Sequence, residues 1–422
     1  MLKILSFLII LQVTSALARS HHMDLEMTGK EYLRLLEANP TYKMVTDAED
    51  LELQAFLEFG KRNLEWVDFI NQARPLGSKL SLTSRATQAG NPVSGPRVYN
   101  FKVIKDRWSI LRALVPETVR EIVFNQGPYQ ARPGLTEREL VEWLFQIDQA
   151  YQLAARYRMN RPKKHLLAQR ISTDVRGYLE LRDDPDLDSK LRAWATIGPS
   201  KQDYLKRHLL LLCLNSGRSR FECAKKFEAA VLEANVLGFK TAHWKAGEKN
   251  YQSFFSLWGS RTDHTWSVLD EKNMYFPFTH PGSPEVHRFL EDNIEAEWQW
   301  DGWRLNLDFL RTSDPQVSRV VFEPGVTPHV NWLFGTVIYL DANAPLTEYD
   351  VQWTIRHEFG HLLGFPDCYH EFYDEELEAF VSYQLDVTNL MCSRRGKLKE
   401  THFIQLKKFY YREEAPEDGA GF

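Results

Sequence analysis

The stretch HEFGHLLGFPD, residues 357–367, decides how the C-terminal part of this chain folds. Its two histidines, His357 and His361, are four residues apart and therefore lie on one face of a helix, where both imidazoles can bind one divalent metal ion. Glu358 follows the first histidine and would project beside the open coordination position of that metal. The spacing predicts a helix that carries a metal site, with Glu358 placed to accept a proton.

The residues that follow the helix predict the third metal ligand. Gly364 allows the chain to leave the helix with a positive φ, after which Asp367 can turn back toward the two histidines. Three nitrogen or oxygen ligands and one open position are the catalytic form of a zinc site, so we expect Zn²⁺ as the cofactor. His370 is an alternative third ligand, but it lies three residues beyond the position that the pattern favours. The competing interpretation, a buried helix whose histidines make ordinary hydrogen bonds, accounts for neither Gly364 nor Asp367.

The residues before the motif predict the element that carries it. GTVIYL, residues 335–340, is a short run rich in β-branched residues and predicts a strand. Residues 326–335 are expected to include the edge strand, whose free backbone groups can pair with an extended peptide. Thr347 and Asp350 form a capping box, with Thr347 as the N-cap of a helix. Apolar residues recur along that helix at core-facing positions, Val351, Ile355, Phe359 and Leu362. We therefore expect the metal motif in the last turns of a helix that ends at Gly364.

A methionine lies thirty residues after His361, in the polar, turn-like segment DVTNLMCS at residues 386–393. Together with the extended zinc motif, this segment resembles the Met-turn of the metzincin clan of zinc endopeptidases. The resemblance implies that Met391 forms an apolar floor under the metal. It covers residues 353 to about 410 and includes a segment with Gln405 that is similar to the short helix after the Met-turn of many members.

Two positions depart from the commonest metzincin pattern. The third ligand is a histidine in most members, whereas Asp367 is similar to the snapalysin-type minority. Some families place a tyrosine two residues after the methionine to stabilise the oxyanion, and Ser393 occupies that position here. Such a tyrosine would have to come from elsewhere in the chain, with Tyr369, Tyr373 and Tyr383 as the candidates.

The residues and the resemblance together predict a secreted, zinc-dependent endopeptidase that acts on a protein or peptide substrate. His357, His361 and Asp367 would hold Zn²⁺, and Glu358 would be the general base for the attacking water. One alternative is a gluzincin-type zinc hydrolase, in which a downstream glutamate is the third ligand; the candidates are Glu375, Glu376 and Glu378. Another is a non-catalytic, zinc-bearing binding domain, which would have no use for a general base.

The N-terminus predicts export. Residues 1–18 combine a positive start, an apolar run of about ten residues and an Ala-x-Ala site, which is typical of a cleaved signal peptide. The apolar run is too short to span a membrane, so we expect no membrane insertion after cleavage and a secreted or periplasmic protein. A net charge of −5 gives no electrostatic reason to expect nucleic acid as a partner. We expect the mature protein to be a monomer.

Four cysteines in an exported chain predict two disulfides. Sequence proximity favours Cys213 with Cys223 and Cys368 with Cys392 over the other pairings. The second bridge would tie the third metal ligand to the Met-turn, and closing a loop of that size would contribute roughly 3 kcal/mol on the chain-entropy model. Free buried thiols are the alternative, which an oxidising compartment disfavours.

The order of elements predicts an α+β chain with three parts. Residues 1–18 form the signal peptide, residues 19–262 a mainly helical N-terminal region, and residues 263–422 a metzincin-like catalytic domain with a twisted mixed sheet and the zinc-binding helix. The helical part contains a capping box at Thr136 and Glu139 that opens an amphipathic helix. This part is either a propeptide that blocks the cleft or a permanent accessory domain.

Overall fold

The computed structural model describes residues 27–75, 78–82, 95–131, 133–330 and 335–411. Within these residues helices and strands are mixed, which confirms the predicted α+β class. The predicted signal peptide lies outside the described residues. We refer to residues 27–262 as the helical region and to residues 263–411 as the C-terminal region.

The helical region consists almost entirely of helices. The α-helices of six or more residues are, in chain order, α1 (Gly29–Ala38), α2 (Ala48–Gln72), α3 (Phe101–Leu114), α4 (Glu137–Asn160), α5 (Lys164–Gln169), α6 (Arg176–Arg182), α7 (Leu187–Arg192), α8 (Pro199–Leu214), α9 (Arg220–Leu232) and α10 (Val236–Ser253). A short strand, β1 (Arg97–Tyr99), precedes α3. The capping box of Thr136 and Glu139 opens α4 as predicted. The apolar side chains along one face of α4 are buried in the core; they are Leu140, Leu144, Ile147, Tyr151 and Ala154.

The C-terminal region contains most of the strands and the metal motif. Its strands are β2 (Ser267–Asp270), β3 (Asn273–Thr279), β4 (Gln299–Trp300), β5 (Trp303–Leu310), β6 (Arg319–Glu323), β7 (His329–Val330), β8 (Val337–Asp341), β9 (Tyr369–Asp374) and β10 (Ala379–Gln384). Its helices are α11 (Pro284–Leu290), α12 (Tyr349–Leu362) and α13 (Glu400–Tyr410). The strand predicted at residues 335–340 is therefore confirmed as β8.

Two of the three sheets combine behind the metal motif. β3 and β5 pair in parallel, as do β6 and β8. A single parallel bridge between Phe278 and Ser318 joins β3 to the start of β6, so the strands follow the order β5-β3-β6-β8-β7. β7 is antiparallel to β8 and forms the edge of this arrangement, within the segment predicted to contain an edge strand. The result is a mixed sheet with α12 against it.

Helix α12 lies in the centre of the C-terminal core. Ile355, Phe359 and Leu362 are fully buried and pack with aromatic side chains of the sheet and of the segment before β4, such as Phe276 and Trp298. At about 25 cal/mol for each square ångström of apolar surface removed from water, this packing contributes far more to the position of α12 than its helix propensity. The metal motif is thus carried by a rigid element.

A third sheet joins the helical region to the C-terminal region. Strand β1 pairs antiparallel with β10, which pairs antiparallel with β9. Behind this sheet the guanidinium of Arg156, on α4, makes a bidentate ion pair with Glu371, on β9, at 2.5 and 2.9 Å. The hydroxyl of Tyr99 donates to the same carboxylate at 2.5 Å, and all three side chains are buried. The two regions therefore share backbone pairing and a buried charge network.

Helix α1 makes a second connection between the two regions. The Glu31 carboxylate accepts a hydrogen bond from Arg394, 2.7 Å away, and both side chains are almost fully buried. Arg34 lies 3.4 Å from the Asp341 carboxylate at the end of β8 and 3.2 Å from that of Glu348. These contacts bring α1 against the start of the metal-binding helix.

Both predicted disulfides are present. Cys213 pairs with Cys223 within the helical region, and Cys368 pairs with Cys392 beside the metal motif. Among the described residues we find no helix that is both long enough and apolar enough to cross a membrane.

An ionisable group is buried between α1 and α4. Asp148 is 1% exposed; its Oδ2 accepts a hydrogen bond from Gln152 at 2.7 Å, and its Oδ1 has no hydrogen-bond partner in the described part of the chain. That Oδ1 lies over Gly29, where an added Cβ would come within 1.9 Å of it. Burial raises the pKa of the Asp148 carboxyl to about 7.

We predict that Asp148 makes the protein less stable as the pH rises from about 4 to about 7. The native carboxyl keeps its proton up to a pKa of about 7, whereas the unfolded chain releases it at about 3.9, so ionisation favours unfolding across this window. Asp148→Asn removes this pH dependence. Urea unfolding at pH 4 and pH 8 should show the variant gaining up to about 4 kcal/mol relative to the wild type between the two pH values.

Asp106→Asn is the matched control, because Asp106 is an exposed carboxylate on α3. Its free energy of unfolding should follow that of the wild type at both pH values. A difference between Asp148→Asn and the wild type that does not change with pH would contradict the assignment.

Candidate metal centre

Helix α12, which carries the candidate metal ligands, begins one residue later than predicted. α12 has Glu348 as its N-cap and no side-chain cap, so the predicted capping box with Thr347 as N-cap is wrong. The N-cap residue makes one local and one tertiary contact: the amide of Glu348 donates to the Pro345 carbonyl in a turn, and the Glu348 carboxylate accepts from Arg34 of α1. The end of the helix is as predicted. Gly364 adopts a φ of +90°, in the left-handed region that favours glycine.

The two histidines are oriented by backbone carbonyls. Nδ1 of His357 donates to the carbonyl of Leu390 at 3.1 Å, and Nδ1 of His361 donates to the carbonyl of Phe365 at 2.7 Å. Such hydrogen bonds fix the ring orientation and leave Nε2 of each ring as the metal-facing atom. Both Nε2 atoms point at one carboxylate oxygen: Oδ1 of Asp367 lies 3.0 Å from that of His357 and 3.1 Å from that of His361.

These separations suit a zinc ion. Zinc bonds of about 2.0–2.1 Å in a tetrahedral site place any two ligand atoms roughly 3.3 Å apart. Each Nε2 atom lies only slightly closer than that to the Asp367 oxygen, so small rotations would bring these distances to the zinc value. The ligand atoms of His357, Glu358 and His361 also lie within 4.8 Å of one another. The structure thus brings all four sequence-predicted residues together, and the three expected ligands fit Zn²⁺.

Glu358 is a buried acid beside this cluster. Its side chain is almost fully buried, and its Oε2 has no hydrogen-bond partner among the described residues. Burial raises the pKa of Glu358, although the two neighbouring histidines oppose the shift. The pKa of His361 is also raised, because the Asp367 carboxylate outweighs the opposite effect of burial. An unpaired carboxylate oxygen in this position is what a proton acceptor requires.

Met391 lies directly beneath the metal helix. A Cβ on Gly360 would come within 2.3 Å of the Met391 sulfur, so glycine at this position allows the close approach. The Met391 amide donates to the Asn389 side chain at 2.8 Å, and the Met391 carbonyl accepts from the amide of Cys368 at 3.0 Å. With the Cys368–Cys392 disulfide, these bonds hold the turn against the residue that follows Asp367.

The alternative third ligands lie elsewhere. His370 is buried, and its Nε2 lies 3.2 Å from the Arg170 carbonyl and 3.3 Å from the Thr173 hydroxyl. Burial lowers the pKa of His370 to about 3. The three glutamates of the gluzincin alternative occupy the exposed turn between β9 and β10, at Glu375, Glu376 and Glu378.

The three tyrosines predicted as candidates for stabilising the oxyanion lie in different places. The Tyr369 ring stacks on His357, with ring centroids 6.1 Å apart, and it lines the cleft described below. Tyr383 is buried, and its hydroxyl donates to Asp174 at 2.8 Å. Tyr373 is buried against Phe380. Of the three candidates, Tyr369 is therefore the one at the metal centre.

The metal centre opens into a cleft of about 880 Å³. Its C-terminal lining comes from the metal motif and from the edge strand, including Glu358, His361, Asp367, His329 and Val330. The rest comes from the helical region, including Leu166, Arg170, Thr173, Phe254 and Trp258. Sequence reasoning missed this second group. The sequence signal that points to this group is Trp258, a large aromatic residue in a Gly- and Ser-containing segment. In the structure this side chain is 87% exposed.

Comparisons of the chain with protein-family models, with curated proteins and with solved structures gave no match.

We predict that Asp367, and no downstream glutamate, is the third ligand. Asp367→Ala should weaken zinc binding by more than the roughly 10–100-fold typical of changes outside the ligand set. The measurement is zinc affinity by competition with a chromophoric chelator. A triple Glu→Gln variant at 375, 376 and 378 is the control and should bind zinc as the wild type does. Loss of zinc in the control with retention in Asp367→Ala would instead favour the gluzincin-type site.

Proposed function

We propose that this protein is a zinc-dependent endopeptidase with a metzincin-like catalytic domain. The observation that carries the proposal is the convergence of His357, His361 and Asp367 on one point, with the unpaired carboxylate of Glu358 beside it. A site with three such ligands and a neighbouring acid, open to a cleft, suits hydrolysis better than a structural metal site, which is closed by four protein ligands.

The three proposed ligand residues are already oriented to bind the metal. Zn²⁺, when bound, would supply Lewis-acid chemistry toward a peptide carbonyl and lower the pKa of a water molecule. His357 and His361 present Nε2 because their Nδ1 atoms donate to the Leu390 and Phe365 carbonyls. Asp367 would contribute a negative charge that partly neutralises the metal. Its position depends on the Gly364 turn and on the Cys368–Cys392 bridge.

Glu358 would take a proton from water and deliver it to the leaving amine. Its buried environment raises its pKa, which makes the acid form easier to reach and favours proton return. The Oε2 atom has no hydrogen-bond partner among the described residues, and Glu358 lines the cleft. Burial also excludes bulk water from the proton's path.

The cleft fits an extended peptide as substrate. One margin is the edge strand β7, which pairs with β8 on one side. Backbone groups on the free side of an edge strand can bond to an extended chain in the manner of β-augmentation. Most of the cleft residues from the helical region are apolar or uncharged, and Arg170 and Arg261 are the exceptions. We therefore propose a peptide substrate with an apolar side chain facing Phe254 and Trp258.

The order of elements supports the metzincin-like assignment. A strand, a helix and several strands precede the metal helix in the chain, as expected from the resemblance. The Met-turn then places Met391 under Gly360, and α13 follows it with Gln405 accepting from the Leu257 amide at 3.2 Å.

We also propose that the protein is exported after removal of residues 1–18. Two disulfides are formed by the four cysteines, which suits an oxidising compartment.

The proposed reaction predicts the effect of removing the general base. Glu358→Gln keeps the shape and the hydrogen-bonding capacity of the side chain but cannot accept a proton. Cleavage of a casein or fluorogenic-peptide substrate should fall by about 10²–10⁴-fold, while the zinc content stays near that of the wild type. Glu375→Gln, in the exposed β9–β10 turn, is the matched control and should retain both properties.

Undiminished cleavage by Glu358→Gln would contradict the assignment of Glu358 as the general base. A wild-type protein that binds one zinc ion but cleaves neither casein nor a peptide library would instead support the non-catalytic binding domain.

We further propose that the helical region stays in the active protein as an accessory domain. Its removal would leave the buried carboxylate of Glu371 without Arg156 and would expose the edge of β10 that now pairs with β1. Breaking a buried ion pair by removing one partner costs about 3–5 kcal/mol. The cleft would also lose its Phe254 and Trp258 side.

N-terminal sequencing of the exported, active protein should therefore begin near residue 19. Intact mass should account for the helical region on the same chain. An active form that begins near residue 263 would show that this region is a removable propeptide.

A further inference from the structure

A second cavity, of about 400 Å³, lies between the two regions and shares no lining residue with the metal cleft. It is bounded by β1, α3 and α4 from the helical region. The first turn of α12 and the residues after the Met-turn close it from the other side. Neither the fold nor the proposed peptidase activity gives this cavity a role.

Five arginines line this cavity, and two of them are neutralised by buried carboxylates. Arg156 is paired with Glu371, and Arg394 is paired with Glu31. These two guanidiniums are held rigidly, because both ion pairs are almost fully buried. The remaining three arginines decide the net charge of the cavity.

The other three arginines, Arg97, Arg107 and Arg395, have no ion pair with a carboxylate in the described part of the chain. Arg107 is half-buried, and its Nη2 donates to the Gln149 side chain at 3.0 Å. Burial lowers the pKa of Arg107, and the positive charge of Arg97 nearby lowers it further. The carboxylate among the lining residues is Asp350, which lies 3.9 Å from Arg394. The cavity is therefore positively charged overall.

We propose that this cavity binds a tetrahedral oxyanion, a phosphate or sulfate group, between Arg97, Arg107 and Arg395. Arg107 and Arg395 are partly buried, and the positive charge of the exposed Arg97 acts on Arg107, so an anion in the cavity would offset an unfavourable concentration of positive charge. Guanidinium groups present paired N–H donors that match the oxygens of phosphate and sulfate. The volume accommodates such a group with part of the molecule that carries it. This inference does not depend on the proposed peptidase function.

The test measures binding to the full-length exported protein. Isothermal titration with sodium phosphate and sodium sulfate, at ionic strength held constant with sodium chloride, should show saturable binding to one site. Thermal unfolding should shift upward with the same saturation. A fully sulfated disaccharide forms a third arm: tighter binding than inorganic sulfate would identify a sulfated glycan as the source of the group.

Arg107→Gln with Arg395→Gln is the test variant, and Arg112→Gln is the control. Arg112 is an exposed arginine on the same helix as Arg107, outside the cavity. The double variant should weaken binding of each anion by roughly tenfold or more, whereas the control should bind as the wild type does. Circular dichroism checks that each variant is folded. Absence of binding in all three arms, or equal binding by the folded double variant, would overturn the proposal.

Discussion

The buried ion pair between Arg156 and Glu371 is the constraint on which the rest of the arrangement depends. Both groups are removed from water, so each requires the other, and the Tyr99 hydroxyl supplies a further hydrogen bond to the carboxylate. Glu371 lies four residues after Asp367 on the strand that leaves the metal motif. The position of α4 in the helical region is therefore tied to that of β9, and β9 begins where the segment that carries Asp367 ends.

Backbone atoms, more than side chains, determine the geometry of the candidate metal centre. The histidine rings are oriented by two carbonyls, and the Met-turn is tied to Cys368 through a main-chain hydrogen bond. Gly360 matters for the same reason, because a side chain there would displace Met391. Imidazole rings held by backbone carbonyls change little in orientation when neighbouring side chains vary. The carboxylate of Glu358 is the opposite case, since its pKa depends on burial and on the charges of the two histidines.

The helical region has two roles in this arrangement. It supplies part of the cleft through residues such as Phe254 and Trp258, and it satisfies charges that the C-terminal region buries, through Glu31 and Arg156. Buried ion pairs add little net stability, because desolvation offsets most of their attraction, but a misplaced partner is costly. They are thus better at fixing how two parts dock than at holding them together. Apolar packing, which includes Val175 and Leu257 of the helical region in the C-terminal core, supplies the stability.

Sequence patterns predicted the features of this protein that depend on residues close together in the chain. The capping box of α4, strand β8, the positive φ of Gly364 and both disulfides follow from residues close together in the chain. The start of α12 was mispredicted: its N-cap is Glu348, whose carboxylate accepts from Arg34, a contact across more than 300 residues that the local sequence does not show. The pairing of β1 with β10 and the cleft lining from the helical region could not be predicted for the same reason. Both features depend on residues that are far apart in the chain, and no sequence pattern links those residues. A metal site of this kind is different, because its ligands must lie at fixed spacing on one helix and the turn after it.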